Sequence, residues 1–523
     1  MDPTTTEARC PFHTAAASTS DAPSHPARGH LTLKDLPGPE GFPLLGNLLQ
    51  LDLKHLHRIL EMWAGTYGTF FKFRIAHKPV VAVSDADLIN EVLRKRPAAY
   101  RRLAAIEPVL KEMGIDGVFS AEGEQWVRQR RTAMQALNNA HLRNFFPTLV
   151  KVTERLKKRW DHALHRGQRV DVQEDLMRFT IDVTSNLAFG YDVNTLEDKG
   201  DDIQRHLEKV FPMVNRRINA PFPYWHFVKL PADRALDEAL VAIHKALAEF
   251  IAHSRERLAS NPELAAHPTN FLEAMLSARD LEGAEITDDE IFGNVLTMLI
   301  GGEDSTAATM SWMLHFLMEH PDIQRCVQQE ADDVLGESSM MRDIRDAERL
   351  RYLEAVAFET MRLKSVFPVL FLGANRDVEL GGVHIPEGTA IFLLTRQCGM
   401  QEREFSAAEQ FQPERWLASH GTVEPGHNPK AFVPFGAGPR FCPGRNLALL
   451  EMKSAMAMLC RNFAVAKPSG AEPVKEQFGF LMAPKHLAVD FTPRSGAKTM
   501  DGEPPLQTIA ACPCAGSISS SRV

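Results

Sequence analysis

Along most of the chain apolar residues recur every three or four positions, with short stretches in which they recur at every second position. The helical period runs through "FFPTLVKVTERLKKRWDHAL" (145–164) and "LDEALVAIHKALAEFIAHSRERL" (236–258) and dominates the body of the sequence. Strand-like runs are confined to "FFKFRIAHKPVVAVSD" (70–85), "DVELGGVHIPEGTAIFLL" (377–394) and "HLAVDFTP" (486–493). No repeat of fixed period interrupts this pattern. It predicts a mainly α fold with small β-sheets beside the helices.

The clearest helix opens at Thr287-Asp288-Asp289-Glu290, a capping box, and is predicted to run to about His320, where Pro321 stops it. Such a helix is roughly 50 Å long and crosses a whole domain. Its flanks, "IFGNVLTMLI" and "MSWMLHFLM", are apolar, but its centre reads "GGEDSTAAT". Each mid-helix glycine costs about 1 kcal/mol of helix propensity, and a buried acid or alcohol needs a partner. Gly301 and Ser305 share a face, with Gly302 and Asp304 beside them. Two readings follow from the residues alone. Either a flat ligand approaches the backbone there, with a hydroxyl bonding back to a carbonyl and widening the turn, or small residues let a second helix pack closely.

The chain has 523 residues, 44% of them hydrophobic, enough for a large core in one domain or two. A formal charge of -8 argues against a general nucleic-acid binder. Seven cysteines at irregular intervals suit a reducing cytoplasm better than a disulfide framework. Residues 1–35 and 496–523 read as disordered tails around a folded domain at 36–495. With no apolar signal region and no run of about 18 apolar residues, the expectation is a soluble, cytoplasmic chain with no membrane span. Cys10-Pro-Phe-His13 and Cys512-Pro-Cys514 lack four ligands at zinc-like spacing and read as incidental tail residues.

The densest chemistry lies in "PFGAGPRFCPGR" (434–445), which sets Cys442 among three glycines and two arginines. Gly436, Gly438 and Gly444 permit tight turning and leave room for a bulky planar group above the sulfur. Phe435 can shield that sulfur, and Arg440 can pair with an anionic substituent of the group. The helix predicted from Arg445 points its N-terminal dipole at Cys442 and favours the thiolate. Pro443 has no N–H and donates nothing to the sulfur from its own position.

Phe435-x-x-Gly438-x-Arg440-x-Cys442-x-Gly444 resembles the haem-binding signature of the cytochrome P-450 family. Further segments match in the family's order. Trp126-x-x-x-Arg130 resembles the helix that holds a haem propionate, Gly301 to Thr306 the oxygen-activating helix, and Glu359-Thr360-Met361-Arg362 the Glu-x-x-Arg motif. Pro413-Glu414-Arg415-Trp416 resembles the Pro-Glu-Arg-Phe segment, with Trp416 in place of phenylalanine. The resemblance runs from about Leu36 to Pro493. It implies haem b held between the long central helix and the cysteine loop, Cys442 as the axial iron ligand, and Trp126, Arg130 and Arg440 at the propionates. It also implies that Glu359, Arg362 and Arg415 form a buried ionic triad, and that Asp304 with Ser305 or Thr306 relays protons. Ser305 stands where the family usually has threonine.

The implied activity is a monooxygenase that inserts one oxygen atom from O2 into a lipophilic substrate. Ile115, Val118, Phe119, Phe367, Val369, Leu370, Phe371, Leu481 and Met482 fall in segments that resemble the family's substrate contacts, and they predict a greasy pocket. The opening "LPGPEGFPLLGN" and Trp126 resemble the branch with bacterial fatty-acid hydroxylases and microsomal enzymes, which puts a fatty acid or similar lipid first. A natural-product hydroxylase or epoxidase, for a terpenoid for instance, is the alternative. Arg101, Arg102, Arg216 and Arg217 are candidate anchors for a carboxylate. Electrons would come from a separate ferredoxin or flavodoxin with its reductase, docked near Arg128, Arg131 and Arg445. A peroxide-driven peroxygenase and a non-catalytic haem sensor are the other readings.

Overall fold

The structure, a computed structural model, describes residues 31–197, 202–277, 287–417 and 427–494, with 208, 221, 262, 265 and 266 excepted. The two terminal cysteine motifs lie outside these residues. Leu31–Asp35, assigned to the N-terminal tail from sequence, is ordered: Leu31–Thr32 pairs in parallel with Val383–Ile385, and Thr32 and Asp35 close a capping box on the following turn.

Both long periodic segments are helices, Asn139–His165 and Pro231–Ser260. The central helix spans Asp288–Glu319. Thr287 accepts from the Glu290 amide while Glu290 accepts from Thr287, so the capping box predicted at its start is formed. The helix ends at His320, and Pro321 begins the next one. It packs along Val172–Phe189 and against Arg445–Asn462, the helix that follows the cysteine loop.

The β-type runs resolve into small sheets. The largest has five strands in the order Phe70–Ile75, Lys78–Val83, Ala390–Leu393, Leu370–Ala374, Tyr100–Arg102. Val81 pairs in parallel with Ile391, and Ile391 pairs antiparallel with Leu372. "HLAVDFTP" is a strand only from Asp490, paired with Phe463–Ala466. The five-stranded sheet's fourth strand begins just after the Glu-x-x-Arg helix, Arg351–Leu363, and packs Phe371 in the cluster that holds Phe292 and Leu296 of the central helix, while Leu370 faces the other side, against Val81 and Leu393.

That helix carries the ionic cluster. Glu359 accepts from Arg362 at 2.7 and 2.9 Å, from Arg415 Nε at 3.0 Å and from the Gln412 amide at 3.0 Å. A fifth donor is the indole of Trp416, at 2.9 Å. The departure from phenylalanine at 416 therefore adds a hydrogen bond to a buried charge.

Candidate active site

The cysteine loop is shaped by its own backbone. Gly436 and Gly438 have φ of 71° and 67°, and the Cys442 amide donates to Phe435 O at 2.9 Å, so the loop folds back and presents the sulfur. Burial pushes the Cys442 thiol up, while the amides of Gly444 and Arg445 and the charge of Arg130 act the other way. The two amides beyond Pro443 thus supply what the proline lacks. Gly438 is glycine for a different reason from the one inferred in sequence. A Cβ there would sit 2.6 Å from Leu93 O and 2.8 Å from Arg94 Cα, so it makes room for the end of helix Ala86–Arg94 and not for a planar ligand. At Gly444 a Cβ would lie 3.9 Å from Cys442 Sγ, an ordinary contact, and its contribution is the amide.

On the central helix, the helix–helix reading of the paired glycines is met at Gly302, and the backbone at Gly301 is left open. A Cβ on Gly302 would lie 2.3 Å from Thr184 Cγ2, which makes it a helix–helix contact, whereas one on Gly301 meets nothing within 4 Å. Ser305 Oγ donates to Gly301 O at 3.2 Å, the back-bond expected of an alcohol at that place. Asp304 is half-buried, and burial pushes its carboxyl up to about 6. Thr306 does not share this face. It is buried and hydrogen-bonded to Glu451 of the cysteine helix, whose own carboxyl is pushed well above the usual range by complete burial. Ser305 is thus the alcohol beside Gly301, and Thr306 marks the place where the two helices cross.

Residues 114–122 close one side. Gly117 lies against Gly293, the Val118 amide donates to Asn294 Oδ1 at 2.9 Å, and Ala121 O and Glu122 accept from Arg440. One segment therefore touches both the central helix and the cysteine loop. Asn294, Gly301 and Asp304 recur at helical spacing, so the segment lies over the face that carries the acid.

Beside it, guanidinium groups crowd together. Arg440 stacks on buried Trp126 at 4.4 Å, and Arg130, one turn beyond Trp126 in helix Gly123–Ala136, donates to Phe441 O. Arg440 is pushed down to about 10 and Arg102 to about 9, by burial first and then by neighbouring charges that include Arg96. Nε and Nη1 of Arg440, Nε and Nη2 of Arg96 and Nε of Arg101 are buried without a protein partner. Arg96 was not singled out from sequence, and Arg102 was named only as a carboxylate anchor for substrate, although "RKRPAAYRR" (94–102) is a visible basic cluster.

The apolar lining is aromatic. Phe480 lies 6.4 Å from Phe119 and 6.3 Å from Phe367, and Phe371 stands edge-on to Phe392 at 4.8 Å. Val118, Leu370 and Leu481 are half-buried, Val118 in the same cluster as Phe119 and Phe480 and Leu370 in a separate one. Three predicted lining residues, Ile115, Val369 and Met482, are fully packed in core clusters. Met482 is held there by Arg396, 3.4 Å from its sulfur. Phe480 takes the place that sequence gave to Met482.

Three of the four candidate carboxylate anchors are committed to polar partners in the protein, and Arg216 is exposed. Arg101 pairs with Glu107, Arg102 donates to Phe119 O and lies over its ring, Arg217 pairs with buried Asp233, and Arg216 lies over Tyr224. Among the proposed docking residues, Arg128 is paired with Glu290, Arg131 is exposed and Arg445 reaches over the Phe435 ring.

Two demands meet in this arrangement. The sulfur, with two amides aimed at it, suits a metal, and the surplus of buried guanidinium N–H groups calls for a group with more than one negative charge. Haem, with its iron and two propionates, meets both, and the side-chain-free surface at Gly301 suits its flat face. The donor set thus defines a haem-thiolate protein. The Cytochrome P450 family model matches residues 36–491, and the chain belongs to that family. It is 28% identical to "Protein LUTEIN DEFICIENT 5, chloroplastic" of Arabidopsis thaliana, over 79% of this chain and 70% of the relative. It is 26% identical to "Cytochrome P450 3A5" of Homo sapiens, over 90% and 93%. It is 25% identical to the "Self-sufficient cytochrome P450 monooxygenase CYP505E3" of Phanerodontia chrysosporium, of which the match covers 43% and of this chain 88%. Members of the family are oxidoreductases that use haem with a cysteine thiolate ligand, O2 and a redox partner. Among the described residues, no helix is long and apolar enough to cross a membrane.

Arg440→Ala is expected to leave the fold intact and to speed haem loss by about tenfold or more, the worth of a charge-assisted hydrogen bond. The haem-to-protein ratio after gel filtration measures it.

Proposed function

We propose that this chain is a haem-thiolate monooxygenase that hydroxylates or epoxidises a lipophilic molecule held by its hydrocarbon part. The observation that carries this reading is the presence of Asp304 and Ser305 beside the open backbone of Gly301, on the helix that packs against the one following Cys442. Haem bound at Cys442 supplies oxygen activation, with thiolate donation favouring O–O cleavage. Gly301 would leave the flat face room, and Arg96, Arg130 and Arg440, with Trp126, would hold the acidic edge. Ser305 Oγ, tied to Gly301 O, fixes the local turn, and Asp304 exchanges protons with water beside it. A carboxyl near 6 serves as both donor and acceptor close to neutral pH. Phe119, Phe367, Phe371 and Phe480 exclude water and orient the substrate. A fatty acid or similar lipid, as in the fatty-acid-hydroxylase branch, and a terpenoid are the two substrate classes that such a lining suits. A separate ferredoxin or flavodoxin with its reductase delivers the electrons, and Arg131 is the exposed cation suited to an acidic partner.

The test is reconstitution with a surrogate ferredoxin and reductase and analysis of products made under labelled O2. One labelled oxygen atom per product supports the reading. Products that form only with hydrogen peroxide would move it to a peroxygenase.

Asp304→Asn is expected to lower turnover by about 100-fold while stabilising the fold in alkaline buffer. Burial raises the folded-state pKa from the ordinary carboxylate range to about 6. The aspartate's favourable contribution is therefore complete below about pH 4 and lost as pH rises through 6. Above that the asparagine variant is favoured by on the order of 3 kcal/mol, and the difference vanishes in acid. Unfolding of both proteins at pH 8 and pH 4 measures this.

A further inference from the structure

The hairpin that carries Phe480 is anchored by buried charges that the reaction does not use. Its strands, Lys475–Phe478 and Met482–Lys485, form a two-stranded ribbon with Phe478 opposite Met482, and Gly479, Phe480 and Leu481 make the turn. No third strand joins it among the described residues. Such a ribbon is marginal alone, so its place is set by what holds it. One anchor is Met482, whose amide donates to Val366 O at 2.8 Å and whose carbonyl accepts from the Trp312 indole at 3.3 Å.

The other anchor is Glu476, two residues before Phe478 and four before Phe480. Its side chain is 5% exposed and meets four donors: Lys364 Nζ at 2.6 Å and Arg396 Nη1 at 2.8 Å on Oε1, Arg58 Nε at 2.8 Å and His57 Nε2 at 3.0 Å on Oε2. Burial opposes its ionisation, but the His57 hydrogen bond and the charges of Arg396 and Lys364 outweigh it and hold Glu476 far below the usual carboxylate range. The donors come from three elements distant in the chain. His57 and Arg58 open helix Leu56–Tyr67, Lys364 caps the Glu-x-x-Arg helix, and Arg396 lies in helix Thr395–Gly399. Arg396 also pairs with Glu61 and touches the Met482 sulfur, so one guanidinium reaches both strands. The buried His57 ring lies 4.9 Å from that of Phe478. Buried ion pairs add little net stability over apolar packing, and their directional bonds are suited to fixing a register.

We propose that Glu476 is a positioning residue: by fastening the hairpin to these three helices it sets where Phe480 stands between Phe119 and Phe367, and through that ring which part of a substrate is presented for oxidation. The proposal rests on the monooxygenase reading and adds to it a residue whose own carboxylate is enclosed by protein groups. The lever is short, since a misplacement of about 1 Å is enough to alter a reacting geometry.

The test titrates two probes, imidazole and 4-phenylimidazole, into the haem-loaded full chain and takes the ratio of their half-saturating concentrations from the haem absorption band. Phe480→Ala should shift this ratio, because only the larger probe reaches the aromatic lining. Glu476→Gln should shift it in the same direction by about threefold or more, and the double variant should move no further than Phe480→Ala alone. Lys364→Met, which removes one donor and keeps the carboxylate, should shift it less and serves where Glu476→Gln folds poorly. Amide exchange read by mass spectrometry should quicken about tenfold over 475–485 in Glu476→Gln and stay unchanged over Arg351–Leu363. An unmoved ratio in a folded Glu476→Gln protein, shifts that add to those of Phe480→Ala, or unchanged exchange in the hairpin each overturn the proposal. A parent protein without a thiolate-type carbon monoxide band would sink the haem-thiolate reading instead, and the exchange result would still judge the anchor.

Discussion

Glu359→Ala is expected to destabilise the protein by about 3–5 kcal/mol, because it strands two buried guanidinium groups. Arg362 is completely buried and Arg415 nearly so, and each also donates to main-chain carbonyls: Arg362 to Gly399, Ala408 and Gln410, Arg415 to Ser406. Those carbonyls temper the loss without removing it, since a guanidinium has five N–H donors and a net charge. The penalty is a large share of the 5–15 kcal/mol that holds a typical domain together. It also falls on the segment from 399 to 416, which leads toward the cysteine loop. The expected outcome is a lower denaturation midpoint together with a haem content well below stoichiometric. Glu359→Gln should lie between the two proteins, because the amide keeps one acceptor and loses the charge. Trp416→Phe, which removes a single donor, should cost about 1.5–3 kcal/mol. A Glu359→Ala protein with an unchanged midpoint would show that the cluster contributes nothing net.

How much of this was legible in sequence depended on the range of each signal. The central helix was readable end to end, because the Thr287–Glu290 box and Pro321 are local devices. Cys442 was readable because its loop needs an unusual density of glycine and proline within a dozen positions. The separate reasons for Gly301, Gly302 and Gly438 were not, since they depend on Thr184, Leu93 and Arg94, residues far away in the chain. The strand Tyr100–Arg102 escaped notice because three residues cannot display a period. Exposure along the lining was also hidden. Leu481 and Met482 are neighbours of similar chemistry, but Leu481 lies in the bend before the strand and stays half-buried, whereas Met482 opens the strand and is buried beside Trp312, whose indole donates to Met482 O. Trp416 was visible as a departure from the family's phenylalanine, and its meaning appeared only once the indole was found on Glu359.

Cys442→Ser, by contrast, is expected to abolish turnover while leaving the fold almost untouched. The loop that presents residue 442 is built from the φ angles of Gly436 and Gly438 and from the Cys442 N–H to Phe435 O bond, none of which involves the sulfur. Serine fits the same space, so the denaturation midpoint should change by no more than about 1 kcal/mol. The chemistry changes because the sulfur is the atom toward which the Gly444 and Arg445 amides and the Arg130 charge are directed. An alcohol in their place stays protonated at neutral pH and donates far less electron density to a metal than a thiolate does. No other described cysteine can take over. Burial pushes Cys460 up to about 12 and Cys398 further still, which keeps both neutral in apolar surroundings, and Cys326 sits on the separate helix Pro321–Leu335. The reduced carbon monoxide spectrum should therefore lose its thiolate-type band in Cys442→Ser, in a protein that still folds. In Glu359→Ala the band should fade only in proportion to the haem that is lost. The pair of variants thus separates the residue that does the chemistry from the cluster that holds its loop in place. A thiolate-type band that survived in Cys442→Ser would place the iron on another sulfur.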